Sequence, residues 1–592
     1  MNKIKKNIGM WCRNSYKDII AIILMAIIIT AFLQYFYNIF QCNINIPFNY
    51  TGNDELSTLV EAKITQETGW NVHTDNLAAP YGFDNHNNII SGLHNFDTLT
   101  TKIFTQITGS VGAGINLTFL SAFYLIALIS YIVFRNLKLK RWISALGALD
   151  FAMLPFIFFR NEEHLVLTCY YFVPLAILMC FWLYEDERFF LPNKQFFKYK
   201  RNYWGLIMSL LVANSGIVYW QFFACMFICV AVFIRVLNKR HFIDIIRGLI
   251  SLLSIITFMI IGCIPEIIYI INNGGGLAGR LRGIQDSEVF SLKIIQLILP
   301  VRGHGISYLE SIINSYNSDV PCVNENVSSY IGFVGIIGLI VLFCILVTRK
   351  SIIKNEKVHE RLAFLSGLNI FAILFGTIGG FGACMFVFMT QTLRSFNRIS
   401  VHIGFFTIMA VCLLLDYYND KIKKLYAKII FILVVGAMFM ITIWEQNPKL
   451  TFDYESVEES WVSDDNFVAE IENVMDDGAI IYQLPYQPYP ESGCQLGMYP
   501  QELFKGYMHS HKLRWTYGIT KDTEDAEYIQ HFALLETSEM VAELKEAGFS
   551  GIYICRKAYT ETDLDKLETE LTELLGEPII SEDNTLSFFK ID

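Results

Sequence analysis

Residues 19–40 read IIAIILMAIIITAFLQYFYNIF, with no Asp, Glu, Lys or Arg among them. Roughly 20 consecutive apolar residues are what a helix needs to cross the hydrocarbon core of a bilayer. Lys3, Lys5, Lys6, Arg13 and Lys17 precede the run. The apolar stretch is too long for the core of a cleavable signal, and no small-residue cleavage motif follows in QCNINIPFNY (41–50). The stretch therefore reads as a first membrane helix, near 18–40, entered from a basic side.

The same signature recurs along the chain. Apolar runs lie near 113–134, 142–159, 165–184, 248–271, 329–348, 362–380, 399–416 and 428–444. The run 204–234 is too long for one helix and short for two. Asn214, Ser215 and Gly216 fall at its middle, so it reads as two short helices joined by a turn. That makes about 11 transmembrane helices. Basic residues test the plan, since they concentrate in cytoplasmic loops. Arg135, Lys138, Lys140 and Arg141 fill one expected inner loop, and Arg188, Lys194, Lys198, Lys200 and Arg201 the next. Arg235, Lys239, Arg240 and Arg247 follow, then Arg349, Lys350, Lys354, Lys357 and Arg361. Lys421, Lys423, Lys424 and Lys428 close the series. With the N-terminus this gives 27 basic residues inside, against nine in the outer segments before residue 445. The N-terminus is expected in the cytoplasm, and everything after 444 outside a bacterial cytoplasmic membrane.

Composition agrees. Of 592 residues, 53% are hydrophobic and 17% charged, a balance unlike that of soluble domains. This excludes a disordered chain, a secreted disulfide scaffold and an ordinary cytosolic enzyme. The net charge of -10 is split unevenly. Residues 445–592 hold 10 Lys+Arg against 31 Asp+Glu, while the rest of the chain is basic. An acidic tail repels phosphate, and no basic cluster lies outside the short loops, so nucleic acid is not an expected partner. Most of the 13 cysteines sit in apolar runs as small hydrophobes. Cys42 and Cys322 fall in segments expected outside the membrane, where a disulfide between them is an open alternative that no spacing rule supports.

The expected outer loops 41–112 and 272–328 are long and the inner loops are short, which places any functional face outside. Asn53-Asp54-Glu55 follows Gly52 as a turn and helix-start signal. Leu56, Leu59, Val60 and Ile64 then recur at helical spacing, as in an amphipathic helix resting on the membrane. Asp54 is either a helix cap or an exposed acid. Asp84, His86, His94 and Asp97 follow in the same loop. A second signal is Arg160-Asn161-Glu162-Glu163-His164, in a tight outer turn between two membrane helices, where ionisable residues are costly to desolvate. A third is basic: Arg280, Arg282, Arg302 and His304 in the second long loop, and Arg394 and Arg398, four residues apart, before the helix at 399–416. A guanidinium fork suits a phosphate. Pairing with Asp286 or Glu288 is the structural alternative.

Outer carboxylates facing outer arginines suit transfer from a lipid-phosphate sugar donor. A carboxylate can take the proton of an acceptor hydroxyl. Arginines, or Mg²⁺ or Mn²⁺ on oxygen ligands such as Asp54 and Glu163, can stabilise the departing phosphate. No Walker A, HExxH or GxSxG motif occurs, and glycines 274–276 lack phosphate-cradle spacing.

On these features residues 1–444 resemble the GT-C superfamily of membrane glycosyltransferases. Asp54-Glu55 would match that family's acidic pair in the first outer loop, and Glu162-Glu163 its second acidic site. The resemblance implies a polyprenyl-phosphate sugar donor, with Asp54, Glu55, Glu162 and Glu163 as catalytic acids. Arg394 and Arg398, with Arg280, Arg282, Arg302 and His304, would be donor-phosphate ligands. Asp84, His86 and His164 are further outer-face candidates. Arg394-Ser-Phe-Asn-Arg398, Gln483-Leu484-Pro485, Tyr507-Met508-His509-Ser510 and the 513–518 block are similar to stretches of bacterial membrane proteins that join a GT-C-like body to an α/β tail. Those carry sugar-transferase or translocase labels. The implied acceptor is a cell-surface glycan, lipid or protein. A flippase or a non-catalytic envelope-assembly protein is the alternative.

Residues 445–592 read as one soluble α/β domain, with strands at 479–484, 551–555 and 586–591 and helices at 533–547 and 561–575. Trp515 and Tyr517 could stack on sugar or pack the domain against the body.

Overall fold

The computed structural model of the chain describes residues 2–239, 241–273, 282–348, 353–447, 452–490 and 492–591. Arg240, glycines 274–276, Arg280, Arg349 and Lys350 lie outside the described residues.

Helices dominate the first three quarters. The first twelve are α1 (Asn2–Tyr37), α2 (Asp54–Thr68), α3 (Asn95–Thr108), α4 (Val111–Asn136), α5 (Arg141–Ala152), α6 (Pro155–Arg160), α7 (Leu165–Thr168), α8 (Val173–Glu185), α9 (Lys200–Ala213), α10 (Val218–Lys239), α11 (Ile243–Gly262) and α12 (Ile264–Asn273). Among the described residues nine helical stretches are long and apolar enough to cross a membrane. Gly332–Val347 is a shorter apolar helix, and α9 has 14 residues. The nine stretches match nine of the eleven expected crossings, these two shorter helices fall at the positions of the others, and the protein is a multi-pass membrane protein. The stretch Leu165–Glu185 is 94% buried and forms the middle of the bundle, whereas Ile243–Gly262 and Leu425–Glu445 are 22% buried and line its rim.

Two crossings are broken. The expected 142–159 helix stops at Ala152 and resumes at Pro155, which lacks the N–H needed to continue the ladder. The expected 165–184 helix opens with one turn and restarts at Val173-Pro174. The 204–234 run does divide, between Ala213 and Val218. The carboxylate of Asp97 fixes the break: it accepts hydrogen bonds from the Gly216 N–H and from the hydroxyls of Ser215 (3.3 Å) and Tyr171. Phe96 N–H bonds the Asn214 carbonyl at 2.8 Å, and Gln221 Nε2 donates to the Ser215 carbonyl at 2.9 Å. Gly216 has φ +66°, and a Cβ there would sit 2.3 Å from the Trp220 ring, so only glycine turns this corner. The first long loop is thus pinned into the middle of the bundle's loop face.

At the opposite face, basic residues are tied down by acids. Asp18 holds Arg135 and Arg141, each at 3.0 Å. Glu185 pairs with Arg361 at 2.5 Å, and Asp244 with Arg235 at 2.7 Å.

The tail carries a five-stranded mixed sheet. Its strands are β3 (Ile480–Leu484), β4 (Arg514–Trp515), β5 (Gly551–Cys555), β6 (Ile579–Ile580) and β7 (Leu586–Lys590), in the order β4-β3-β5-β7-β6. β1 (His73–Thr74) and β2 (Phe83–Asp84) pair within the first loop. β3 runs parallel to β4 and β5, and β7 antiparallel to β5 and β6. The expected 533–547 helix begins later, at Thr537, after a separate helix Glu524–Phe532. Alternation along β5 divides its side chains. Ile552 and Ile554 join Leu544, Phe532 and Leu571 in a core of the tail's own. Tyr553 and Cys555 face the other way, into a core continuous with the membrane body. Trp515 and Tyr517 lie on that side, buried, with Trp515 edge-on to Tyr553 at 5.4 Å and Tyr517 packed on Phe504 at 4.5 Å. They pack the tail against the body and leave no ring face for a sugar.

Candidate functional site

The first loop departs from expectation at its helix. α2 does not rest on the membrane. Leu56, Leu59, Val60, Ala62, Lys63 and Ile64 are all buried, because α2 is wedged between α3 and α4 on one side and the tail's Phe504–His509 helix on the other. Lys63 shows the fit. Its ammonium donates to the carbonyls of Tyr507, Met508 and Ser510 at 2.6, 3.0 and 2.5 Å, satisfying the open C-terminal end of that helix. Burial lowers its pKa to about 8.

The start of α2 is clamped from two directions. Glu55 Oε1 accepts from the N–H groups of Thr51, Gly52 and Asn53 and from the Thr51 hydroxyl, at 2.6 to 3.0 Å. This fully buried carboxylate closes the turn before the helix, so Glu55 is architectural. From the tail, Gln501 Nε2 donates to Asp54 Oδ1 at 3.0 Å, its Oε1 accepts from Ser57 N–H at 3.0 Å, and its own N–H bonds the Gly52 carbonyl at 3.0 Å. Asp54 itself is exposed, and its Oδ2 lies 3.4 Å from His164 Nε2.

His164 brings in the turn between α6 and α7. Asn161 adopts φ 33° there, a costly conformation for a residue with a Cβ, and its side chain accepts from Glu163 N–H at 2.7 Å. The turn sends its two glutamates to different places. Glu162 is buried, accepts from Asn49 N–H at 3.2 Å, and is pushed up to about 8 by burial. It is a neutral structural acid near pH 7. Glu163 is half-buried, and its pKa is raised by burial and by the nearby charges of Glu55 and Asp54. His164 is held down to about 3 by burial and by Arg160 and Arg398, so it faces Asp54 as a neutral imidazole.

Arg160 and Arg398 form the basic wall. Glu325, from the second long loop, bridges them: Arg160 Nη2 is 2.8 Å and Arg398 Nη2 3.4 Å from its carboxylate. Burial alone would raise the Glu325 pKa, but Arg398 and Arg160 outweigh it and hold the group near 2. Two guanidinium groups thus share one carboxylate, and the Nε of each is buried without a hydrogen-bond partner. The Arg398 guanidinium also stacks 4.5 Å from the Tyr219 ring.

Asp54, Glu163, His164 and Arg398 therefore lie in one neighbourhood, together with Arg160 and Glu325. The other candidates do not. Arg394 turns away from Arg398, because residues 390–395 are irregular rather than helical. It pairs with Asp286 at 3.3 Å and covers the Phe290 ring, so the structural alternative describes it. His304 accepts from Ile306 N–H and faces Glu445 at 3.7 Å, by the end of the last apolar helix. Arg302 is exposed in the same loop, and Arg282 is half-buried beside the undescribed segment. Asp84 caps its own turn and lies 3.6 Å from His73, while His86 is 3.5 Å from Glu266 of α12. Cys42 and Cys322 are both free. Among the described residues no three His, Cys, Asp or Glu side chains are grouped to hold a metal ion. Glu325 and Gln501 escaped the sequence reading, since neither belongs to a pattern and each acts on a residue far away in the chain. Arg160 stood in a quoted motif, and its burial is what distinguishes it.

A family model described as "Domain of unknown function (DUF6311)" matches residues 97–440, more than half of the chain. No curated protein matches the sequence. Among solved structures, the chain is similar to the arabinofuranosyltransferase AftD from Mycobacteria, with 11% identity and a TM-score of 0.49. That match covers 96% of this chain, which spans 40% of the AftD chain. It is also similar to ArnT from Cupriavidus metallidurans bound to undecaprenyl phosphate, with 8% identity, 96% of this chain and 98% of that chain covered, and a TM-score of 0.41.

Proposed function

We propose that this chain, which belongs to the DUF6311 family, is a GT-C-type membrane glycosyltransferase. It moves a sugar from a polyprenyl-phosphate donor to a cell-surface glycan, lipid or protein acceptor. The observation that carries the reading is the exposed Asp54 carboxylate, tied through His164 to the buried Arg160–Arg398 pair. The long-loop face is read as outward in a bacterial cytoplasmic membrane, with the N-terminus cytoplasmic and the tail outside, because 27 basic residues before position 445 fall in the alternate loops expected inside.

In this mechanism Asp54 accepts the proton of the acceptor hydroxyl, whose oxygen bonds to the anomeric carbon of the sugar. The bond from that carbon to the phosphate oxygen breaks, and the lipid phosphate leaves with the electron pair. The guanidinium groups of Arg160 and Arg398 receive its charge in a low-dielectric wall, where such stabilisation is strongest. Glu325 holds the pair together until a phosphate takes over one of its forks. Neutral His164 fixes the orientation of Asp54 without competing for the proton. A Mg²⁺ or Mn²⁺ ion, if used, would be held by the oxygen ligands Asp54 and Glu163. It would supply charge neutralisation at the leaving group.

The test is mass spectrometry of lipid-linked sugars and surface glycans in cells carrying wild type, a deletion, or Asp54→Asn at matched membrane levels. Both altered strains are expected to accumulate a polyprenyl-phosphate sugar and to lose one surface sugar. A deletion phenotype with Asp54→Asn behaving as wild type sinks the reading.

A further inference from the structure

A cleft of about 290 Å³ opens between the first long loop, α12 and the tail. Tyr81 and Asp84 line it from the loop, Tyr269 and Asn273 from α12, and Thr520 and Asp525 from the tail. Three separate parts of the chain thus converge on one hollow, and each brings polar groups. Tyr81 is 44% exposed and is braced edge-on by Tyr528 at 6.4 Å. Tyr269 is held by His86 at 5.9 Å, and His86 in turn by Glu266. The walls are therefore positioned from behind. Among the described residues lining the cleft there is no lysine or arginine.

The tail links the cleft to the candidate site. Gly518 lines it. The preceding residue, Tyr517, donates its hydroxyl to the Pro500 carbonyl at 2.9 Å, and the next residue, Gln501, holds Asp54. Burial raises the Tyr517 pKa, and the Tyr489 and Asp54 charges add to the rise.

We propose that this cleft is a saccharide subsite that holds an uncharged segment of the acceptor glycan. Phenol rings offer flat apolar faces for the C–H side of a sugar ring. The Asp84 and Asp525 carboxylates accept hydrogen bonds from its hydroxyls, and Asn273 and Thr520 supply both donors and acceptors. The two carboxylates of the described lining repel uronic-acid or sulfated glycans. The volume suits one or two sugar units. The role as acceptor subsite rests on the transferase reading; the binding itself does not.

The experiment is a binding series on the full chain in lipid nanodiscs, read by saturation-transfer NMR and by titration. The probes are neutral hexose and pentose oligosaccharides, with uronic-acid oligosaccharides in parallel. Neutral probes are expected to bind wild type and Asp54→Asn alike, and the anionic set to bind neither. Asp525→Asn, at an exposed helix start, and Tyr269→Ala are expected to weaken binding at least tenfold. Tyr269→Phe, which keeps the ring, is expected to retain it and to report that the α12 wall still folds. The proposal is overturned if no neutral probe binds wild type, if the anionic set binds as well, or if Asp525→Asn and Tyr269→Ala both bind as wild type does. Failure of the catalytic reading shows separately, as Asp54→Asn that binds glycan and also keeps transfer.

Discussion

Glu162 and Glu163 are adjacent, yet the fold gives them opposite environments. Burial holds Glu162 protonated up to about pH 8, whereas the unfolded chain ionises it near its ordinary value of 4.5. Between those two pH values the folded state carries a proton that the unfolded state has released. Its contribution to stability is therefore complete below about 4.5 and declines by roughly 1.4 kcal/mol per pH unit as pH rises through that window. Glu162→Gln is expected to remove this slope. Its melting temperature should exceed that of wild type at pH 7.5 and converge with it toward pH 4.5, as thermal scans across pH will check. Glu325 and Arg398 give a second expectation. Removing one partner of a buried ion pair costs about 3–5 kcal/mol, because the other charge is left uncompensated, and Glu325→Gln leaves both Arg160 and Arg398 without their shared carboxylate. Glu325→Gln should therefore lower the melting temperature. Arg398→Ala leaves Arg160 paired with Glu325, so it should abolish transfer at a smaller loss of stability.

At the scale of elements, the turn before α2 depends on Gly52. Its φ is +109°, and an added Cβ would meet Tyr499 Cβ at 3.0 Å and Glu502 Cβ at 3.3 Å. Gly52→Ala is expected to cost about 1–3 kcal/mol in backbone strain and to lift the start of α2 off the tail. Faster amide hydrogen exchange confined to residues 50–60 would report it. The membrane helices were legible because a single physical rule, apolar length flanked by basic residues, governs them. The split at Asn214-Ser215-Gly216 was legible for the same reason that it exists: polar and flexible residues interrupt an apolar run. What the sequence hid was partnership. Leu56, Leu59 and Val60 mark one apolar face of α2, and that face alone predicts a helix on a membrane. The burial of Lys63 by three carbonyls of a segment 444 residues later has no local signature. Arg394 and Arg398 share a spacing but not an element, so helical reasoning placed together two side chains that the irregular 390–395 segment separates.

At the scale of the whole molecule, the tail completes the candidate site rather than hanging beside it. Gln501 holds Asp54, and Lys505 lies buried between Asp464 (3.1 Å) and Glu502 (3.6 Å), with its ammonium 4.6 Å from the Tyr50 ring. Gln501→Ala is expected to reduce turnover roughly 10–100-fold through misorientation of Asp54. KM for the lipid donor should stay unchanged, because the Arg160–Arg398 wall is untouched. Steady-state kinetics in nanodiscs will separate the two. The span between Asp54 and Gln501 also has a consequence in time. A ribosome adding roughly 5–20 residues each second makes Asp54 well before Gln501, 447 positions on. For roughly 20–90 seconds each nascent copy carries the first loop without the segment that will clasp it. Products cut short before Gln501 therefore lack the clasp on Asp54, and a stretch made late sets the geometry of one made early.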